Sequence, residues 1–421
     1  MSHARREPAG NLLLRARVVL PLSRPAIENG AVLVRGGRIK ELGRWSDLSR
    51  QSAEVVDLGK VVLLPGLVNA HCHLDYTHMA GMFTRPKLFS DWLKLITTTK
   101  SEWELADYRA SWVSGADMLA RTGTTSVADI EAVPELLPRI WRKTPLRVFS
   151  FLEMIGLTGR RPPQVILDEA LQKVRSLPRS RGVGLSPHAS YSTLPELLRL
   201  SAEAAQRYDL RMAVHVAESE TELEMFARGR GDMFRWLERS GRDMADCGHR
   251  SPVQHLEKCG VLSERLLAIH ANYLARRDAA LLGERRVNVV HCARSHSFFG
   301  HEPFPLRRLA RAGANICLGT DSLATTMRPR RQTVELDMFE EMRCLSARER
   351  GLSPRSILLM ATRHGARALG MRGKIGEIAV GAFADLIAVP YDGKQVYESV
   401  LEHHGDVSAS MIGGKWVVKP C

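Results

Sequence analysis

The stretch Leu64-Pro65-Gly66-Leu67-Val68-Asn69-Ala70-His71-Cys72-His73 decides how the rest of the chain reads. It is a short apolar run ending in two histidines spaced one apart. In a strand, residues i and i+2 point to the same face, so His71 and His73 can aim two imidazoles at one point. Two converging neutral imidazoles are half of a tetrahedral metal site. His-x-His alone is a weak signal, and it gains meaning only if distant partners exist.

The flanking pattern supplies a scaffold. After Pro65, apolar strands alternate with amphipathic helices. Strands are expected at 67–72, 124–130, 146–152, 182–187, 211–216, 266–270, 287–291 and 315–320, with helices such as Pro195 to Tyr208 and Glu222 to Glu238 between them. Eight βα units over roughly 300 residues predict an α/β fold, a (β/α)8 TIM barrel with insertions. The alternative is a doubly wound open sheet, but no G-x-G-x-x-G follows the first strand. Upstream, Ala31 to Arg35 and Arg38 to Leu42 flank Gly36-Gly37, a hairpin signal, and further short strands are expected at 12–20, 54–58 and 61–64. Strand signals return at 375–378, 384–389 and 415–418. The chain is therefore read as a barrel over 64–373 and a small composite β-domain built from both termini, 1–63 and 374–421. Ser353-Pro354 should open a helix that closes at Gly370, and the Val334, Met338, Met342, Leu345 stripe reads as core.

Six histidines and one aspartate fall at the C-terminal ends of expected barrel strands: His71, His73, His188, His215, His270, His291 and Asp321. In a barrel those ends share one face, where catalytic groups gather. Three imidazoles and a carboxylate form a mixed N/O set suited to one divalent ion, Zn²⁺ first and Fe²⁺ as the alternative. His71, His73, His215 and Asp321 are assigned to that metal. A water bound there would have its pKa lowered to about 7, giving a hydroxide nucleophile at neutral pH. Asp321 can accept that water's proton. Glu218, three residues after His215, is a candidate proton shuttle; its bland reading is a helix N-terminal acid before Ser219-Glu220-Thr221-Glu222. His270 can orient the nucleophile or steady developing charge. The sulfur of Cys72 faces the other side of the strand and reads as packing. Binuclear barrel hydrolases often carry a modified lysine at the end of strand four. Here that place is Leu185-Ser186-Pro187-His188, so one metal is expected.

Composition narrows the partners. The chain has 421 residues, 44% hydrophobic and 25% charged, an ordinary globular balance. A formal charge of +14 invites a nucleic-acid reading, but the basic residues are spread along the chain. The densest run, Arg328-Pro329-Arg330-Arg331, should open a helix, and no aromatic residues interleave with it as base stacking requires. Nucleic-acid-editing zinc deaminases use H-x-E…P-C-x-x-C, and none of the seven cysteines forms a C-x-x-C pair. Scattered, odd-numbered cysteines argue against a disulfide framework and fit a reducing, cytoplasmic location. Arg15 and Arg17 interrupt the apolar N-terminal run that imitates a signal peptide, and no apolar stretch is long enough to cross a membrane.

With these residues placed, the chain resembles the amidohydrolase superfamily, in particular the aminohydrolase branch. That branch holds S-adenosylhomocysteine/methylthioadenosine deaminases, aminodeoxyfutalosine deaminases, guanine deaminases and triazine chlorohydrolases. The similar stretches are 65–73, Ser186-Pro187-His188-Ala189, His215-Val216-Ala217-Glu218, Ser251-Pro252-Val253, His270-Ala271, Val290-His291-Cys292, Leu318-Gly319-Thr320-Asp321-Ser322, Leu336 to Met342 and Gly381 to Leu386. The resemblance covers nearly the whole chain. It implies hydrolytic deamination of a small-molecule amino-substituted heterocycle. Hydroxide adds to the amino-bearing carbon, Glu218 protonates a ring nitrogen, and ammonia leaves. It also implies that His188 contacts the substrate, and it suggests a homodimer or larger.

Two departures bear on the substrate. The nucleoside deaminases carry a glutamate soon after a Trp-Leu pair, where it holds the ribose hydroxyls; here Trp92-Leu93 is followed by no acid before Glu102. The asparagine usual after His-Cys-Pro-x-Ser is replaced by His296 in Arg294 to His301. That segment, with Asp321-Ser322-Leu323-Ala324, looks more like the aminodeoxyfutalosine deaminases, which adds His296 and Ser322 as substrate-binding candidates. The leading substrates are 6-amino-6-deoxyfutalosine and S-adenosylhomocysteine or methylthioadenosine. A chlorohydrolase, a guanine deaminase or a cyclic-amide hydrolase on the same scaffold is the alternative. A non-catalytic assembly protein is the alternative of another class. The roles of His291 and His301 stay open.

Overall fold

The computed structural model of the chain describes residues 11–178, 182–327 and 333–420. The basic run 328–331 lies outside the described residues. Two compact units result: one of residues up to 68 with 118–126 and 337 onward, the other of 69–117 and 127–336.

The first unit carries a mixed sheet. Its N-terminal strands are β1 (Leu12–Val19), β2 (Ile27–Arg35), β3 (Arg38–Arg44), β4 (Glu54–Asp57) and β5 (Val61–Pro65). Gly36 and Gly37 both adopt positive φ, 58° and 72°, the conformation a tight two-residue hairpin demands. The barrel strands follow as β6 (Leu67–Cys72), β7 (Thr124–Glu131), β8 (Arg147–Met154), β9 (Gly182–Pro187), β10 (Met212–Val216), β11 (Leu266–His270), β12 (Asn288–His291) and β13 (Asn315–Leu318). Three C-terminal strands, β14 (Leu386–Pro390), β15 (Ala409–Ile412) and β16 (Lys415–Val418), return to the first sheet in the order β16-β15-β14-β5-β1-β2-β3. Leu386 pairs with Pro65 and Val389 with Val62, antiparallel, so strands from both ends of the chain share one ladder. Leu14, Val32, Ile39, Leu63, Leu386 and Met411 form its core.

The other sheet has eight strands in the order β13-β12-β11-β10-β9-β8-β7-β6. Its strands read as near-continuous apolar runs because a parallel sheet is covered on both faces; every residue of β6, β7, β10 and β11 is buried. The cylinder closes between its last and first strands. The Asp321 amide donates to the His71 carbonyl at 3.1 Å. Asn69 Nδ2 donates to Thr320 Oγ1 at 2.7 Å, and Asn69 Oδ1 accepts from the Thr320 amide at 3.1 Å. The chain thus has the (β/α)8 barrel architecture expected from its strand spacing.

Local differences have local causes. The single helix expected over 222–238 is two, Glu220–Arg228 and Asp232–Arg239. Gly229 ends the first in a left-handed conformation, φ 60°, and Gly231 at φ 101° precedes the second. The helix opened by Ser353-Pro354 stops at Met360 and a second runs Arg363–Ala368. Ile375 to Ile378 is not a strand; Gly376 at φ 72° turns the chain there. The stripe at Met338, Met342 and Leu345 is core, on a helix that begins at Met338 behind the Asp337 N-cap, with Val334 outside it. No helix among the described residues is long and apolar enough to cross a membrane.

Candidate active site

His71 closes β6 and His73 follows it, with ring centroids 4.9 Å apart. The strand-one pair meets residues from across the barrel. His73 Nε2 lies 3.3 Å from His215 Nε2. Asp321 Oδ1 lies 3.4 Å from His71 Nε2 and 3.8 Å from His73 Nε2. All of these side chains are buried.

The nitrogens are arranged as ligands rather than as hydrogen-bonding core histidines. His215 Nδ1 lies 2.9 Å from the backbone carbonyl of His188, an acceptor only, so Nδ1 carries the proton and Nε2 presents a lone pair. Neither ring nitrogen of His71 has a hydrogen-bond partner, nor has Nδ1 of His73. Burial, then the neighbouring His71, pushes the His73 imidazole well below its usual range; burial does the same to His215. Burial alone would raise the Asp321 carboxyl. Contact with His71, then the nearness of His270 and His73, outweighs it and holds the group well below the carboxylate range. Neutral imidazoles around a carboxylate, with nitrogens left unpartnered in the interior, are what a divalent cation requires. His71, His73 and His215, and likewise His71, His270 and Asp321, place one ligand atom each within 4.8 Å of one another.

Three site residues sit in strained backbone. His270 (φ 72°), Asp321 (φ 54°) and Ala217 (φ 51°) are left-handed without being glycine. Each such residue costs about 1–3 kcal/mol and persists only where its surroundings enforce it.

Glu218 lies outside the helix that follows it. Ser219 is the N-cap, its hydroxyl accepting from the Glu222 amide at 3.2 Å. The buried Glu222 carboxylate in turn accepts from the Glu218 amide at 2.8 Å. This capping box fixes the turn, and Asn272 Nδ2 adds a bond to the Glu218 carbonyl at 3.0 Å. Glu218 Oε1 is thereby held 3.4 Å from His270 Nε2. Burial, reinforced by Asp321 and Glu222, pushes the Glu218 carboxyl well above its usual range, so it can hold a proton where ordinary carboxylates cannot. Asp129 on β7 buttresses the loop after His73, accepting from the Leu74 amide at 3.0 Å and Trp112 Nε1 at 2.7 Å.

These groups open on a cleft of about 630 Å³, part of it in solvent. His73, His188, His215, Glu218, His270, Asp321 and Ser322 all line it. His71 lies behind its surface, fully buried. His296 is elsewhere: it packs with His291 and His301 at centroid distances of 5.3 and 5.4 Å and does not line this cleft. Sequence reasoning missed Lys100 and Glu153, which do line it, and Glu222, which shapes it. Glu153 stands at the end of β8, where searching strand ends for acids as well as histidines would have found it. Glu222 was legible as the last residue of a Ser-x-x-Glu box.

Known proteins resemble this chain in sequence and in fold. The 5-methylthioadenosine/S-adenosylhomocysteine deaminase of Syntrophobacter fumaroxidans is 31% identical over 404 residues, covering 90% of this chain and 85% of its own. The 5'-deoxyadenosine deaminase of Methanothrix thermoacetophila is 30% identical over 373 residues, covering 86% and 82%. The Helicobacter pylori aminofutalosine deaminase, crystallised with methylthio-coformycin, has the same fold, with a TM-score of 0.85 at 20% identity over 96% of this chain and 100% of its own. The Amidohydrolase family model matches residues 62–417, and the chain belongs to that family.

Proposed function

We propose that this chain is a metal-dependent aminohydrolase that removes the amino group of an adenine nucleoside derivative. The reaction adds water across the ring carbon–nitrogen bond and releases ammonia. The observation that carries this reading is the Glu218–His270 pair, 3.4 Å apart, lining the same cleft as the imidazole and carboxylate cluster.

His71, His73, His215 and Asp321 would hold one divalent ion. The chemistry of the donors favours zinc, which binds N/O sites more tightly than ferrous iron. When bound, the ion supplies Lewis acidity and makes a coordinated water nucleophilic near neutral pH. The chain's own groups do the rest. Asp321 accepts a proton from the attacking water. Glu218, holding a proton by virtue of its burial, delivers it to the ring nitrogen beside the reacting carbon. His270 steadies the charge that develops there. His188, its Nδ1 2.7 Å from Ser192 Oγ, and Ser322 would contact the substrate.

The names of the two relatives favour an adenosine carrying a modified 5' position, the group that includes methylthioadenosine, S-adenosylhomocysteine and 6-amino-6-deoxyfutalosine. The test is metal analysis of the purified protein followed by an ammonia assay over these nucleosides. About one zinc per chain with ammonia release supports the reading. A metal-loaded protein that frees no ammonia from any of them overturns it.

A further inference from the structure

Glu153 projects from the end of β8 and its side chain is only 8% exposed. It lines the cleft with Lys100, His188, Tyr76 and Tyr191. Its Oε2 is 4.0 Å from Lys100 Nζ and its Oε1 is 4.0 Å from His188 Nε2. Both gaps exceed hydrogen-bond length. No donor among the described residues is within hydrogen-bond length of the carboxylate. A largely covered carboxylate normally collects donors, and this one faces the cleft, where a ligand could supply them.

The missing partner can be described chemically. Lys100 already provides the countercharge, and its ammonium is fixed over the Tyr76 ring at 4.8 Å. Glu153 therefore lacks hydrogen-bond donors rather than positive charge. It stands two strands along the barrel from the strand that leads into Glu218, roughly 10 Å away by ordinary strand spacing. A heterocycle reacting beside Glu218 would bring its ring substituent, not its reacting edge, to Glu153. A substituent with two adjacent hydroxyls offers two O–H donors to one carboxylate.

Resting on the deaminase reading above, we propose that Glu153, held by Lys100 and flanked by His188, is the diol-recognising residue of the cleft. It accepts hydrogen bonds from the two ribose hydroxyls and selects ribonucleosides over deoxy analogues and free bases.

The test compares kcat/KM of the zinc-loaded protein for adenosine and 5'-methylthioadenosine with their 2',3'-dideoxy counterparts and with adenine. Wild type should favour the diols by about 10- to 100-fold, the scale of charge-assisted hydrogen bonds. Glu153→Gln and Glu153→Ala should shrink that ratio to about threefold or less, while the dideoxy rates move little; a merely structural residue would slow both classes alike. Wild-type discrimination is read without any variant, and the near-isosteric Gln variant guards against a packing defect. Discrimination below about threefold in wild type, or equal losses on both classes, overturns the diol subsite and leaves deamination standing. So does a Glu153→Gln that keeps diol selectivity but loses a preference for S-adenosylhomocysteine over methylthioadenosine, since the carboxylate would then read an ammonium. Absence of ammonia from every nucleoside and from adenine instead overturns the deaminase reading itself.

Discussion

Gly319→Ala should damage the metal site without touching a ligand side chain. Gly319 sits where β13 closes against β6. A methyl group there would stand 2.8 Å from the His71 amide nitrogen, 2.8 Å from its carbonyl oxygen and 2.9 Å from its Cβ. Ordinary carbon contacts are about 3.5–4.0 Å, so the two strands must separate by roughly 0.7 Å or more. Neither side can give way by a rotamer change, because the atoms struck are backbone and Cβ. The Gly319 amide is also tied to the His291 carbonyl at 3.0 Å, and the next closure bond, Asp321 to His71, is two residues on. The shift therefore falls on His71 and Asp321 together. Metal–ligand distances tolerate only about 0.2 Å. Overpacking of this kind costs about 1–3 kcal/mol, or about 2–5 °C in Tm. Misplacement approaching 1 Å can cost about 100-fold in rate. The assay is zinc content by elemental analysis, Tm with and without added zinc, and kcat/KM for ammonia release. Gly159→Ala, where a methyl would meet nothing within 4 Å, is the control and should change stability by less than about 0.5 kcal/mol. A Gly319→Ala protein with a full zinc complement and wild-type rate would refute the proposed ligand geometry.

Glu218→Gln should retain its bound metal and lose about 100- to 10,000-fold in kcat, because the amide cannot deliver a proton; elemental analysis beside the ammonia assay separates this from a metal-depleted variant, which would contradict the assigned role. Removing the metal by chelation should lower Tm reversibly, by the equivalent of about 4 kcal/mol where zinc had been present at a thousandfold over its Kd; an unchanged melting curve would mean that the cluster holds no ion. Acid stability gives a further test away from the cleft. Burial pushes the His255 imidazole down to about 4 against the pull of Asp246, and the buried Arg242 pair holds Asp246 itself below its usual range. As pH falls below about 6.5 the unfolded chain takes up a proton on His255 that the folded protein refuses until about pH 4. Stability is therefore lost across that window, on the order of 2–3 kcal/mol from this group. Urea midpoints measured between pH 7 and 4 should fall less steeply for His255→Gln than for wild type, and parallel curves would contradict the assignment.

Much of this was present in the sequence because it is local. Barrel strands buried on both faces read as apolar runs, and all eight lie within a residue or two of where those runs stand. The i, i+2 pairing of His71 and His73 and the strand-end positions of His188, His215, His270 and Asp321 followed from strand periodicity and the barrel rule. What needed the tertiary structure is of another kind. Residues 250 positions apart, His71 and Asp321, meet only because the cylinder closes, and Asn69 with Thr320 makes that closure. The left-handed backbone at His270 and Asp321 has no sequence signature, since neither is glycine. His296 was a substrate-contact candidate by sequence; in the fold its ring packs against His291 and His301, and it is not among the residues lining the cleft. Glu153 and Lys100 are unremarkable as letters, an acid on a strand and a base near a helix end. Folding is what brings them 4.0 Å apart on the wall of the cleft. Periodicity determines which face a side chain takes, whereas the company it keeps depends on chain closure and burial, which are long-range.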